Sequence, residues 1–335
     1  MTITPRAVLA SALILFPVSL LLGRSGGVIP GKAGIPINMN TSFPGCGPSG
    51  CHSAFPNSAV KLSISTPSLS ITKGAGVVPI SVGVSGANNS SKRGGFSVEA
   101  TKGTFVARAG TNVRVDSATN GRSTATHGSS AKRSWVFDFN PGSSTGLVSL
   151  FGTGNAVNGD GRTRGDAWGW YGPDSGTPGT PFRVFVNDTA VTAFGASCDG
   201  GTVGNSKFRF RPVLGVPKNA AVNSTFTSEV HNVNPGTATL GIFGLSNTKW
   251  GPFTLPLSLA GAGAKGCALR VSLDILAPVV TTGSGAGGGV GKHTWLIPNI
   301  ASLRGLNVYL QEMVVDPKAN GLGLVFSMGL KATIQ

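Results

Sequence analysis

One stretch of the chain decides the fold class: Val78-Pro79-Ile80-Ser81-Val82-Gly83-Val84-Ser85. Apolar side chains fall on every second residue, and small or polar residues stand between them. Successive side chains of an extended chain point to opposite faces, so this period of two predicts a strand with one face buried in a core. The Gly-Ala-Asn-Asn sequence that follows at 86–89 has the composition of a turn, which indicates that the chain reverses there.

The same alternation recurs along the chain and predicts a protein built from strands. The chain has 335 residues with 51 Gly and 21 Pro, and strong helix formers are scarce, which disfavours helical bundles and doubly wound α/β folds. We therefore expect an all-β protein of two immunoglobulin-like β-sandwich domains, the first at 40–188 and the second at 190–335. Further strands are predicted near residues 60–64, 96–98, 135–139, 147–151, 182–186, 208–211, 237–243, 269–275 and 308–315.

The N-terminus has the pattern of an export signal. Arg6 supplies a positive charge, an apolar run covers 8–22, and small residues follow. The run is short for a membrane span, so we expect a signal peptide over 1–27, with an uncleaved anchor as the alternative. The protein is then extracellular, periplasmic or on the cell surface, and it meets a membrane only through this signal or anchor.

The charge of the chain indicates an anionic partner. There are 27 basic and 12 acidic residues, which gives a formal net charge of +15. Such a surface attracts an anionic cell-surface polymer or a negatively charged redox partner. Few aromatic residues stand among the scattered basic residues, and a nucleic-acid groove needs stacking aromatics, so we expect no specific nucleic-acid partner. The oligomeric state stays open.

A short motif near the N-terminus carries the strongest functional signal. Cys46 and Cys51 are followed at once by His52, which is the order needed to attach a c-type haem through two thiols and one axial histidine. Four residues separate the cysteines here, whereas the usual number is two. His127 is the expected sixth iron ligand, and Met39 is the alternative. A small Cys46–Cys51 disulfide loop is the competing interpretation.

An oxygen-rich loop follows later in the same domain. Asn155, Asn158, Asp160 and Asp166 stand among glycines, and their side chains carry the oxygen ligands that calcium prefers. The spacing is not that of an EF-hand. The alternative is a turn in which the Asn and Asp side chains accept hydrogen bonds from their own backbone.

The sequence gives no support for an enzyme. It contains neither a Gly-x-Ser-x-Gly elbow nor a His-Glu-x-x-His motif, and no pair of aspartates stands out for glycoside hydrolysis. Trp168, Trp170 and Tyr171 would bind a sugar if they formed an exposed platform. Packing under a loop is the alternative for them.

The first domain resembles the bacterial choice-of-anchor V family, which is itself similar to the reeler domain of reelin-like proteins. The likeness spans about 43–171 and rests on Phe43-Pro44-Gly45-Cys46 through Cys51-His52, Gly95-Phe96, Thr126-His127, Trp135-Val136-Phe137 and the block from Gly154 to Asp166. In that family the opening commonly has two residues between the cysteines. The resemblance implies an exported β-sandwich displayed by its host's anchor, and no established activity.

The second domain resembles a C-terminal module of secreted proteins from planctomycetes and similar bacteria. The matching residues are Cys198-Asp199-Gly200-Gly201-Thr202, Leu255-Pro256-Leu257, Gly266-Cys267-Ala268-Leu269, Ile297-Pro298-Asn299 and the segment from Asp316 to Leu322. The resemblance implies a β-sandwich without assigned chemistry and a disulfide between Cys198 and Cys267. Such a bridge closes a long loop and stabilises the fold by about 3–4 kcal/mol.

Taken together, the sequence leads to one functional hypothesis and one alternative. The leading hypothesis is an exported envelope protein with a single c-type haem for electron transfer or redox sensing. The alternative is a non-enzymatic surface adhesion or matrix protein with a Cys46–Cys51 disulfide, for which carbohydrate binding is a further property to test.

Overall fold

The computed structural model describes residues 26–35, 45–46, 52–53, 55–88, 90–117, 121–203 and 206–335. Within these residues the protein consists of twenty-four strands and two short 3-10 helices, Ala260–Ala262 and Ala301–Leu303, and contains no α-helix. The predicted all-β class is therefore confirmed. No helix in the described part of the chain is long and apolar enough to cross a membrane.

The first half of the chain forms two sheets that pack face to face. Its strands are β1 Lys61–Ser65, β2 Ser70–Thr72, β3 Val78–Ser85, β4 Gly94–Ala100, β5 Thr104–Val106, β6 Val113–Ser117, β7 Ser123–His127, β8 Ser134–Asn140, β9 Gly146–Ala156, β10 Ala167–Trp170 and β11 Phe182–Asn187. One sheet has the order β1-β3-β8-β5, and the other has the order β2-β11-β9-β4-β7-β6 with β10 beside β9.

The alternating pattern of β3 places its apolar face in the core between these sheets. Ile80 is fully buried and Val82 is 2% exposed, whereas Ser81 on the other face is exposed. Phe96 of β4 stacks on Phe137 of β8 with ring centres 5.7 Å apart, which joins the two sheets across the core.

The second half forms a six-stranded sheet, a three-stranded sheet and two two-stranded ribbons. Its strands are β12 Val191–Phe194, β13 Val213–Gly215, β14 Ser224–Val233, β15 Ala238–Gly244, β16 Lys249–Trp250, β17 Phe253–Thr254, β18 Leu257–Ser258, β19 Ala268–Leu269, β20 Ile275–Val280, β21 Gly289–Ile297, β22 Asn307–Val315, β23 Leu324–Phe326 and β24 Gly329–Thr333. The six-stranded sheet has the order β12-β24-β22-β15-β20 with β23 beside β22, the three-stranded sheet has the order β13-β14-β21, and the ribbons are β16-β17 and β18-β19. A disulfide joins Cys198 to Cys267 with 5.0 Å between their Cα atoms, as the resemblance implied.

No strand of the first half pairs with a strand of the second among the described residues, but the two halves pack against each other. Every strand pair among the described residues lies either within β1–β11 or within β12–β24. The core of the first half nevertheless includes Val213 and Met328. Arg183 of β11 donates hydrogen bonds to the Asn232 side chain and to the carbonyl of Gly287, at 2.8 and 2.7 Å. The two sandwiches therefore share a buried junction.

The segment 26–35 packs on the outer side of the first sandwich. Ala33 and Ile35 are buried against Phe151, and the Val28 amide donates to the Thr126 hydroxyl. Residues 1–25 of the predicted signal peptide lie outside the described residues. The end of that prediction, at residue 27, therefore falls inside a segment that contacts the sheet.

Candidate functional site

A polar cleft lies at one end of the first sandwich, where His52, the start of β4, the end of β7 and the loop after β9 meet. Its volume is about 260 Å³. The backbone ties these parts together, because the Val157 amide donates to the Arg93 carbonyl and the Gly94 amide donates to the Ser130 carbonyl. The lining residues are His52, Arg93, His127, Ser130, Asn155, Val157, Gly159, Gly161, Arg162 and Asp166.

His52 is held in this cleft by two side chains from distant parts of the sequence. Its Nδ1 lies 2.9 Å from Oδ2 of Asp166, whose side chain is 3% exposed. The Asn155 amide nitrogen lies 3.0 Å from Nε2 and 3.3 Å from Nδ1, so it lies over the face of the imidazole ring. Since a carboxylate accepts, Nδ1–H donates to Asp166.

This arrangement leaves one buried acceptor without a partner. Asn155 is 5% exposed, and its Oδ1 has no hydrogen-bond partner among the described residues. A buried carbonyl oxygen without a donor costs about 1–3 kcal/mol.

The side chains predicted to bind calcium mostly bond to their own loop. Oδ1 of Asp166 accepts the Asn158 amide at 2.9 Å, and Oδ1 of Asn158 accepts the Asp160 amide at 3.1 Å. Oδ1 of Asp160 in turn accepts the Arg162 amide at 2.8 Å. These are the contacts of the turn interpretation. In the part of the chain that is described, no group of three or more His, Cys, Asp or Glu side chains is placed to hold a metal ion.

His127 lines the same cleft as His52, on the opposite wall formed by β7. The amide of Phe96 donates to its Nδ1 at 3.1 Å, and the ring packs over Gly95, where a Cβ would lie 2.5 Å from the imidazole Cε1. An Nδ1 that accepts this amide places the ring proton on Nε2. Nδ1 also lies 3.3 Å from the Phe96 carbonyl oxygen, to which the other tautomer would donate. His127 as the sixth iron ligand therefore stays a prediction.

Two arginines supply the positive charge of the cleft. Arg93 and Arg162 are both exposed, and neither guanidinium has an acidic partner among the described residues. Gly159 lies beside the Arg93 side chain, since a Cβ there would be 3.5 Å from Cδ. The sequence analysis missed both arginines because it treated the basic residues as a general property of the surface.

The aromatic residues predicted to form a sugar platform are buried. Trp168, Trp170 and Tyr171 are 2%, 4% and 9% exposed. Trp168 donates its indole N–H to the Ser53 carbonyl at 2.8 Å, and both tryptophans pack against Cys46. The alternative of packing under a loop is therefore correct, and carbohydrate binding through exposed aromatics at these positions is wrong.

The cysteine motif is only partly within the described residues. Cys46 is 7% exposed, and its Sγ lies 3.7 Å from the Thr153 hydroxyl. Cys51 and Met39 lie outside the described residues. The predicted haem attachment, the competing Cys46–Cys51 disulfide and the alternative Met39 ligand therefore stay predictions.

Comparison with known proteins adds little to this geometry. No protein-family model and no curated protein matches the chain. A solved structure of a DUF4466 family protein from Parabacteroides merdae ATCC 43184 is similar over 83% of this chain and 100% of that chain, with 9% sequence identity and a TM-score of 0.25. A TM-score this low carries no argument about function.

Proposed function

We propose that this is a non-enzymatic, exported surface protein that binds an acidic sugar unit of a cell-surface polymer in the His52 cleft. One observation carries the proposal. Arg93 and Arg162, which have no acidic partner among the described residues, line one cleft of about 260 Å³ together with His52, Asn155 and Ser130.

The chemistry of these groups selects the ligand class. Guanidinium groups bind carboxylates and sulfates, with charge-assisted hydrogen bonds and in many cases with two parallel bonds. The Ser130 hydroxyl in the lining can donate a hydrogen bond to a sugar hydroxyl or accept one from it. A uronic acid or a sulfated sugar carries an anionic group and hydroxyls within one ring, so a single unit can satisfy both requirements.

The charge of the whole chain favours the same class of ligand. The formal net charge of +15 raises the local concentration of a polyanion and speeds its association. Most side chains that line the cleft are polar or charged, and Val157 is the one aliphatic side chain among the described lining residues. A small hydrated ligand suits such a lining better than a large apolar one.

Isothermal titration with a galacturonic acid trisaccharide tests the proposal. We expect binding to the wild-type protein and none to the fully methyl-esterified trisaccharide, which keeps the remaining hydroxyls and loses the charge. An exposed arginine contributes on the order of 1 kcal/mol to such a contact. The Arg93→Gln/Arg162→Gln variant should therefore bind about 30-fold more weakly.

A matched control separates the cleft from net charge. Lys249 and Arg304 are exposed and make no ion pair among the described residues, so Lys249→Gln/Arg304→Gln removes the same charge elsewhere. We expect this control to bind within about twofold of the wild type, because distant exposed charges are screened at physiological salt. Equal losses in both double variants would contradict a specific site.

A single c-type haem for electron transfer or redox sensing is the second candidate. The observation that favours it is the hydrogen bond from His52 to the Asp166 carboxylate, which is how metal-binding histidines are oriented. The described lining residues offer a haem one aliphatic side chain, that of Val157, which is fewer than a cofactor pocket usually supplies. A bound haem would supply one-electron transfer.

Intact mass and a visible spectrum decide between the two candidates. The protein is produced in a host with cytochrome c maturation machinery. A covalent haem mass and a c-type spectrum, both lost in Cys51→Ala, would establish the second candidate. A colourless protein without added mass would exclude it.

A further inference from the structure

A second basic surface lies at the junction of the two sandwiches, on the short segment from Lys207 to Arg211. This segment is extended and pairs with residues 200–203. The Gly200 amide donates to the Phe210 carbonyl at 2.8 Å, and the Val203 amide donates to the Phe208 carbonyl at 3.1 Å. Its side chains therefore alternate between two faces.

Because of this alternation, the basic side chains of the segment lie on its exposed face and the aromatic side chains lie on its inner face. Lys207, Arg209 and Arg211 are all exposed, whereas Phe210 is 7% exposed and Phe208 is half-buried. We call the row formed by Lys207, Arg209 and Arg211 the junction stripe. At about 3.3 Å per residue, its neighbouring cations are spaced by roughly 7 Å along the chain.

The inward aromatic side chains hold the segment in place. Phe208 makes edge contacts with Tyr171 and Phe210, with ring centres 5.3 and 5.1 Å apart. Phe210 packs over Gly287, where a Cβ would lie 2.5 Å from the ring. Tyr171 belongs to the first sandwich and Gly287 to the second, so both halves fix the position of the stripe.

The surroundings of the stripe are positive. Lys207 and Arg209 have no acidic partner among the described residues, and Arg211 pairs with Asp199, although both of their side chains are about half exposed. Lys265 lines a cleft of about 290 Å³ together with Arg209 and Arg211, and Asp199 is the one acid in its lining. Exposed ion pairs of this kind contribute little, so Arg211 can exchange Asp199 for another anion.

We propose that the junction stripe, with Lys265, is a second binding surface, and that it takes a linear acidic polysaccharide. A row of cations at regular spacing matches a chain with one anionic group per unit. A nucleic acid is the poorer occupant, because Phe208 and Phe210 face inward and leave no aromatic ring for a base to stack on. This surface is distinct from the His52 cleft, and it adds a polymer contact to the single-unit contact proposed there.

Titration of the full chain with long-chain polygalacturonate tests the inference. The variant Lys207→Gln/Arg209→Gln/Arg211→Gln should bind this polymer at least tenfold more weakly than the wild type, with a shallower dependence on salt. Its binding of the trisaccharide in the His52 cleft should be unchanged. A circular dichroism spectrum and melting curve like those of the wild type would show that the variant folds.

A matched triple variant and a nucleic acid complete the test. Lys102→Gln/Lys249→Gln/Arg304→Gln removes three exposed cations elsewhere and should lose less than about threefold in polymer affinity. An equal loss in both triple variants, or full polymer binding by the stripe variant, would overturn the inference. If the wild-type protein instead binds oligo(dT) more tightly than polygalacturonate at equal charge and loses this binding in the stripe variant, the ligand of the stripe is a nucleic acid and the inference is overturned.

The failure of this inference and that of the proposed function are distinguishable. If polymer binding depends on the stripe but the trisaccharide does not bind, the stripe is supported as a binding surface and the His52 site is excluded. If the trisaccharide binds and the stripe variant binds the polymer as tightly as the wild type, the His52 site is supported and the stripe is not a binding surface.

Discussion

Removing the disulfide of the second sandwich should destabilise the protein by about 4 kcal/mol. Cys198 and Cys267 are 69 residues apart in sequence, and the bridge restricts the unfolded chain over that length. The loop-closure entropy for this length amounts to about 4 kcal/mol at 25 °C. Both cysteines are buried, at 6% and 3% exposure, so Cys198→Ala/Cys267→Ala also loses some packing.

Urea unfolding followed by tryptophan fluorescence measures this effect. Trp250 and Trp295 lie in the second half and report on it, while Trp135 reports on the first. We expect the unfolding free energy of the second half to fall by about 4 kcal/mol in the double alanine variant. The reduced wild-type protein provides the control, because it lacks the bond but keeps both sulfur atoms. A change below about 1 kcal/mol in both would refute the reasoning, since the loop would then not be constrained by this bond.

Three further predictions concern single side chains. Hydrogen bonding, chiefly with His231, lowers the pKa of Glu229 to about 2, so stability should decline as the pH falls from about 4.5 towards 2, and Glu229→Gln should flatten this part of an acid-unfolding curve. Trp168→Ala should lower the unfolding free energy by about 3–5 kcal/mol in urea, because the ring is 2% exposed and its removal leaves a cavity. Arg183→Ala should lower it by about 1–3 kcal/mol, because two acceptors at the junction lose their donor, and limited proteolysis should then cut between the halves more rapidly.

The fold class was predictable from sequence because the signal is local. Strand β3 was expected from Val78 to Val84 and extends from Val78 to Ser85 in the structure. In the strand expected near 135–139, Trp135 alternates with Phe137 and Phe139, and all three side chains are buried. A period of two needs only neighbouring residues, so it can be recognised without any knowledge of which strands pair.

The cleft was not predictable, because its contacts are long-range. Asp166 and Asn155 lie 114 and 103 residues from His52 in sequence. From the sequence, both residues were expected in an oxygen-rich loop that either binds calcium or forms a turn with its own backbone, and neither expectation included a contact with His52. His52 and Asp166 lie outside the strands, and the alternation that predicts strands carries no information on which loops approach each other.

The common face of the three basic residues in the junction stripe could have been predicted from the sequence, but it was not. The segment 208–211 was expected to be a strand, and the same rule of alternation puts Lys207, Arg209 and Arg211 on one face. The basic residues were considered for their total charge and not for the face on which they lie.

The most direct measurement is a crystal structure of the protein grown with the galacturonic acid trisaccharide. We expect one sugar unit in the His52 cleft, with its carboxylate within hydrogen-bond distance of Arg93 and Arg162. A trisaccharide bound elsewhere, or a covalent haem filling the cleft, would contradict the account.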